Sequence, residues 1–135
     1  MRIRFGVLVV PSFIPMTGYI LHLDDEKPIL QLVERALGHR GHKVRSAQTL
    51  AEVAKVTEGS RPSLIICDLH LAEGDGIGAI QQLRARFPRV PVLLLSGAVN
   101  DSTISARYRD LAEGFVPKPA PLERIITEVE HLLAS

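Results

Sequence analysis

Three carboxylates and a serine stand where apolar runs stop. Leu64-Ile65-Ile66-Cys67 runs directly into Asp68, Ile20-Leu21-His22-Leu23 into Asp24-Asp25, and Val92-Leu93-Leu94-Leu95 into Ser96. A short apolar run bounded by polar or glycine-containing sequence reads as a strand buried on both faces, so each of these polar residues falls at a strand's carboxyl end. Open α/β sheets bind their ligands at that edge. Asp24, Asp25 and Asp68 on neighbouring strands would repel strongly unless something neutralised them, and a hard divalent cation does so. A small carboxylate cluster with room for water and phosphate oxygens suits Mg2+. The competing account is that Asp24 and Asp25 merely cap the helix that follows, where Asp is also favoured.

Positioning these residues requires a regular alternation of strands and helices, and from Tyr19 onward the sequence carries one. Ile29, Leu32, Val33, Ala36 and Leu37 define a helical face that Gly38 and Gly41 terminate. Lys43–Ala47 is a short second strand. Thr49 and Glu52 have capping-box spacing and open a helix carrying Leu50, Val53 and Ala54 that closes near Gly59. After the Asp68 strand and a loop, Ile77, Ile80, Leu83 and Phe87 line a third helix that ends before Pro88. A fourth helix is expected from about Ser102 to Ala112, with weaker periodicity. Gly114–Pro117 is a brief fifth strand, confined to a sheet edge or ending at Pro117, which lacks an N–H. Pro121 starts a last helix with Leu122, Ile125, Ile126, Val129, Leu132 and Leu133 on its apolar face. Five β-then-α units with right-handed crossovers make a parallel sheet covered by helices on both sides.

The composition supports a single packed domain. The 135 residues are 46% hydrophobic and 23% charged, with a formal net charge of +1. That charge supplies no global field for nucleic acid or membrane, and Arg84, Arg86, Arg89, Arg107 and Arg109 read as solvated helix faces. Cys67 is the single cysteine, which excludes an internal disulfide and fits a reducing, cytoplasmic compartment; its apolar neighbours make it an inert packed thiol. The histidines have no cysteine partners at zinc spacing. His22, inside the first strand, reads as a packed neutral imidazole rather than a catalytic base. No apolar run approaches the roughly 18 residues that a membrane span needs. Residues 1–18 read as an N-terminal extension, either disordered or the product of a start codon assigned too early, with residues 19–135 as the domain. Pro11 and Pro15 argue against a secretory signal, and Gly6–Val10 is apolar enough to pair with a sheet edge.

Taken together, the acidic pair Asp24-Asp25, Asp68, Asp75-Gly76, Ser96-Gly97-Ala98, Phe115 and Lys118-Pro119 resemble, in order and spacing, the receiver domain of two-component response regulators over Tyr19–Ser135. The resemblance implies a flavodoxin-like (βα)5 doubly wound parallel sheet of order 2-1-3-4-5. It implies that Asp68 takes a phosphoryl group from a phosphohistidine donor. Asp24, Asp25 and Asp68 would hold Mg2+ with the backbone carbonyl of His70, and Lys118 would bring a second cation to the phosphoryl oxygens. The Lys118–Pro119 bond is usually cis in the family. Ser96 would hydrogen-bond the attached phosphoryl group and Phe115 would turn inward, making these two the switch. The family more often has Tyr at Phe115 and Pro at Ala72, and His70 and Ala98 occupy positions that tune the loss of the acyl phosphate.

The function so implied is a phosphoacceptor in a phosphorelay, not an enzyme beyond its own phosphorylation and dephosphorylation. Its partners would be a sensor histidine kinase or histidine phosphotransfer protein and a downstream protein target not named by the sequence. No output domain follows the last helix, so a stand-alone receiver or one excised from a larger regulator is expected, with no direct nucleic-acid or membrane binding. The face near Tyr108, Arg109 and Phe115 is the candidate for partner binding or homodimerisation. Two alternatives compete. A phosphorylation-independent scaffold of the same fold would need none of the acidic set, Ser96 or Lys118. An aspartate-nucleophile phosphohydrolase generally wants an acid two residues after the nucleophile, where this chain has His70.

Overall fold

Parallel strands buried on both faces build the centre of the molecule. The computed structural model describes residues 18–68, 70–71, 74–96 and 110–135. Strands β1 (Ile20–Leu23), β2 (Val44–Ala47) and β3 (Leu64–Asp68) alternate with helices α1 (Lys27–His39) and α2 (Leu50–Val56). A short hairpin of β4 (His70–Leu71) and β5 (Gly74–Asp75) precedes α3 (Gly76–Arg86), and β6 (Val92–Ser96), β7 (Gly114–Pro117) and α4 (Leu122–Ala134) complete the order. The main sheet runs β2-β1-β3-β6-β7 with every pairing parallel. Counting only its five strands, this is the expected 2-1-3-4-5. As Pro117 requires, β7 is an edge strand and ends there.

Side chains alternate across the sheet and divide the core in two. Leu21, Leu23, Ile65, Cys67, Val92 and Leu94 pack under Val53 of α2 and Ile80 and Leu83 of α3. Ile20, Leu64, Ile66, Leu93, Leu95 and Val116 pack under Val33 and Leu37 of α1 and Ile125 and Val129 of α4. Helices therefore cover both faces, as a strand buried on each side demands. The capping-box spacing is realised at α2: Thr49 Oγ1 accepts from the Glu52 N–H at 3.1 Å, while Glu52 Oε1 accepts from the Gln48 N–H at 2.7 Å. The helix stops at Val56, short of Gly59, where Thr57 Oγ1 donates back to the Val53 carbonyl.

Two expectations change, and a third lies largely outside the described residues. Leu30, not Leu32, lies in the core with Val33 and Leu37, and Leu32 is 46% exposed. Leu32 is two residues on from Leu30, a turn of roughly 200° that carries it to the far side of the helix. The segment after Asp68 is not wholly loop, because His70 pairs with Asp75 and Leu71 with Gly74 in an antiparallel hairpin. The helix expected from about Ser102 to Ala112 falls, up to residue 109, outside the described residues, and Asp110 and Leu111 are turn. Among the described residues there are four helices, none long and apolar enough to cross a membrane. The expected extension lies outside them as far as residue 17, and so do Tyr108 and Arg109 of the candidate partner face.

Candidate functional site

The acidic residues meet because their strands are in register. Leu23 pairs with Cys67 across β1 and β3, and Asp68 with Leu95 across β3 and β6. The next residues along those strands, Asp24 and Ser96, thus reach the same carboxyl edge as Asp68. Ser96 in turn pairs with Pro117 of β7, and its carbonyl accepts the Lys118 N–H, which brings Lys118 to that edge. The Lys118–Pro119 peptide is cis.

One carboxylate oxygen from each of Asp24, Asp25 and Asp68 lies within 4.8 Å of the others. Asp24 and Asp68 are buried, Asp25 is half-buried, and Ser96 is buried beside them in the sheet. Asp24 Oδ1 accepts the Glu26 N–H at 2.9 Å, a local turn that fixes this oxygen at the entrance to α1. Asp24 Oδ2 has no hydrogen-bond partner. The Asp25 carbonyl accepts from Gln48 Nε2 at 3.1 Å, tying the acidic pair to the loop after β2. Lys118 Nζ stands 3.3 Å from Asp68 Oδ2 and 3.6 Å from Asp24 Oδ2.

The electrostatics follow from burial and crowding. Burial, with Asp68 nearby, pushes the Asp24 carboxyl up to about 6 against the opposing pull of the Glu26 N–H and Lys118. For Lys118, burial alone favours the neutral amine, but the Asp24 and Asp68 carboxylates outweigh it and hold the ammonium above its usual range. Burial, helped by Lys118, pushes the His22 imidazole down to about 3, so it is neutral at neutral pH. The Cys67 thiol is raised well above the usual thiol range by burial and then by the neighbouring carboxylates, consistent with an inert packed cysteine.

The donor set fits a hard divalent cation. Hard oxygens from three carboxylates converge, and the orphaned Oδ2 of Asp24 lacks the partner that a buried acceptor ordinarily has. Capping does not account for the acidic pair: the residue at the N-terminal boundary of α1 is Glu26, and it makes no side-chain cap. Phe115 is half-buried at the edge strand and packs against the α2–α3 side of the core. His70 stands in the hairpin two residues beyond Asp68. Sequence reasoning passed over Gln48 and the Glu26 N–H, which hold the acidic pair. The Asp-x-x spacing of an Asx turn could have signalled the second, but nothing local marks the first.

The model of the response regulator receiver domain matches residues 20–130. The chain belongs to that family. Receiver domains are signalling modules of two-component systems rather than enzymes in the usual sense. The photosynthetic apparatus regulatory protein RegA of Cereibacter sphaeroides is 30% identical over 114 residues, 84% of this receiver chain and 60% of RegA. A response regulator protein from Burkholderia pseudomallei, solved with a phosphorylated aspartic acid, a calcium ion and citrate, is 28% identical with a TM-score of 0.70. That match covers 84% of this chain and 71% of the other. NtrX from Brucella abortus, solved in complex with ADP, is 30% identical with a TM-score of 0.79 and is matched over 88% of this chain and 27% of its own. The receiver chain thus spans 60% of RegA and about a quarter of NtrX.

Proposed function

We propose that Asp68 is the phosphoacceptor of a phosphorelay, taking its phosphoryl group from a histidine kinase or histidine phosphotransfer protein. The observation that carries this reading is the convergence of the Asp24, Asp25 and Asp68 carboxylates with Lys118 Nζ 3.3 Å from Asp68 Oδ2. An Asp68 carboxylate oxygen attacks the phosphorus of the donor's phosphoimidazole; the new O–P bond forms as the P–N bond breaks, and the imidazole, already protonated on its other ring nitrogen, leaves neutral with the electron pair of the broken bond. Lys118 follows the phosphoryl oxygens as charge moves onto Asp68, so its ammonium stabilises the transferring group and the product. Asp24, Asp25, Asp68 and the His70 carbonyl are the residues that would hold Mg2+, which when bound neutralises phosphoryl charge. The phosphorylated aspartate and calcium of the Burkholderia relative support a phosphoacceptor with a divalent cation in this family.

Ser96 and Phe115 then form the switch. Ser96, one residue beyond the level of Asp68 on the adjacent strand, is within the same edge as the acylated carboxylate. Phe115 lies on β7 beside Leu94, where its half-buried ring can be drawn further in. Output is a changed protein-binding surface on that side of the sheet, read by a downstream protein. The experiment is mass spectrometry of the chain after incubation with Mg2+ and a small phosphodonor. One phosphoryl group should appear on wild type and none on Asp68→Asn. Wild type that stays unmodified, under conditions in which a control receiver labels, refutes the reading.

A further inference from the structure

Among the described residues, the buried side-chain nitrogen and oxygen atoms without a hydrogen-bond partner are His22 Nδ1, His22 Nε2 and Asp24 Oδ2. All belong to one facing pair. His22 lies on β1 and Asp24 directly follows its last residue, two positions on and so toward the same face; both are fully buried, and Nε2 lies 3.9 Å from Oδ2. Buried polar groups are ordinarily paired; Lys118 Nζ stands 3.6 Å from Asp24 Oδ2 on the solvent side, and the His22 ring is the fully buried donor that faces the same oxygen from the strand. A small side-chain rotation that brings 3.9 Å to the usual N–H···O separation of about 2.9 Å satisfies Nε2 and Oδ2 in one step. The other Asp24 oxygen already accepts the Glu26 N–H, so Oδ2 is the oxygen of the carboxylate that lacks a hydrogen bond.

We propose that His22 is a positioning residue: the N–H at Nε2 of its imidazole donates to Asp24 Oδ2 and fixes the plane of that carboxylate toward Asp68 and Asp25. With Oδ1 held from the backbone and one lone pair of Oδ2 held from the strand below, a single lone pair remains directed into the acidic cluster. The carboxylate meets a cation without first losing rotational freedom. Loss of an outer partner that orients a ligand typically weakens metal binding by about 10–100-fold. The inference rests on the proposed role of Asp24 in holding Mg2+. It concerns a residue of β1 that touches neither the cation nor the phosphoryl group.

The test uses the full chain, 15N-labelled and titrated with Mg2+ while amide shifts are followed by NMR. The variants are His22→Leu, His22→Gln and His22→Asn. The Gln amide nitrogen reaches about as far as imidazole Nε2, the Asn nitrogen only as far as Nδ1, and Leu carries no donor. Wild type and H22Q should bind within about threefold of each other, and H22L and H22N should bind about tenfold or more weakly. The imidazole 15N spectrum of wild type should show the His22 proton on Nε2. H22L binding as tightly as wild type, H22Q as weak as H22L, or a proton held on Nδ1 overturns the inference; if H22L fails to fold, the contrast between H22Q and H22N decides. A wild type that binds Mg2+ without labelling on Asp68 refutes the phosphoacceptor reading alone, and the order of the variants still judges His22. A wild type that binds no Mg2+ overturns both.

Discussion

The two edges of the sheet treat polar groups in opposite ways. At the amino edge, polar groups are closed into pairs. Arg45 stacks 4.1 Å from the Tyr19 ring and donates to the Val56 carbonyl and Ser60 Oγ, which also meets the Tyr19 hydroxyl. Glu113 accepts from both Arg84 and the Val92 N–H, and Glu130 gathers Arg40 and His42. At the carboxyl edge, three carboxylates converge, two of them beside the Lys118 ammonium, and Asp24 Oδ2 and the His22 ring nitrogens stand without a hydrogen-bond partner. Ordinary folding drives a protein to finish its hydrogen bonds. One edge has done so and holds the strands' starts together; the other gathers carboxylates that Lys118 offsets only in part.

The sharpest way to break this contrast is to remove the ammonium. Lys118→Ala should slow labelling of Asp68 by about a hundredfold or more, measured as the initial rate with a small phosphodonor at saturating Mg2+. A rate within a few-fold of wild type would place Lys118 on the structural side of the comparison. At the opposite edge the outcome should invert. Glu113→Ala leaves the Val92 N–H without its acceptor and Arg84 with the Val90 carbonyl alone, and should cost about 1–2 kcal/mol in urea unfolding, with the labelling rate of the folded protein unchanged.

Asp24→Asn sharpens the contrast from the stability side. The Asp24 carboxyl is raised to about 6, so the folded chain binds its proton more tightly than the unfolded chain does. Its contribution is therefore fully present at pH below the ordinary carboxylate range and is lost as pH rises through about 6. Without divalent cation, the variant should be more stable than wild type by on the order of 1–2 kcal/mol at pH 7. The difference should vanish near pH 4, and Mg2+ should narrow it at pH 7 by stabilising wild type alone. Equal stability of the two proteins at pH 7 without cation would mean that the carboxyl edge carries no such cost.

What could be read in the sequence was whatever one strand or helix records by itself. The apolar runs ending at Leu23, Cys67 and Leu95 locate β1, β3 and β6, and parallel pairing then brings Asp24, Asp68 and Ser96 to one edge. Pro117 marks the end of the edge strand for the same local reason. Relations between distant segments were not legible. Arg84 finds Glu113 across 29 positions and Gln48 finds the Asp25 carbonyl across 23, and no periodicity points from one to the other. Leu32 looked like a core residue because a Leu beside a helical face fits its period loosely. Only the position of the sheet selects Leu30 instead. The hairpin at His70–Asp75 rests on two residue pairs, too short for alternation to show.

The register that assembles the site also fixes when it can first exist during synthesis. Asp24 and Asp25 follow the first strand, whereas Lys118 follows β7 and is brought to the edge by the ladder from Ser96 to Pro117. A chain still emerging from the ribosome with β7 inside the exit tunnel has the acidic residues but neither the lysine nor the sheet edge that carries it. On the proposed reading, the complete phosphoacceptor site therefore forms only once the last strand has joined the sheet.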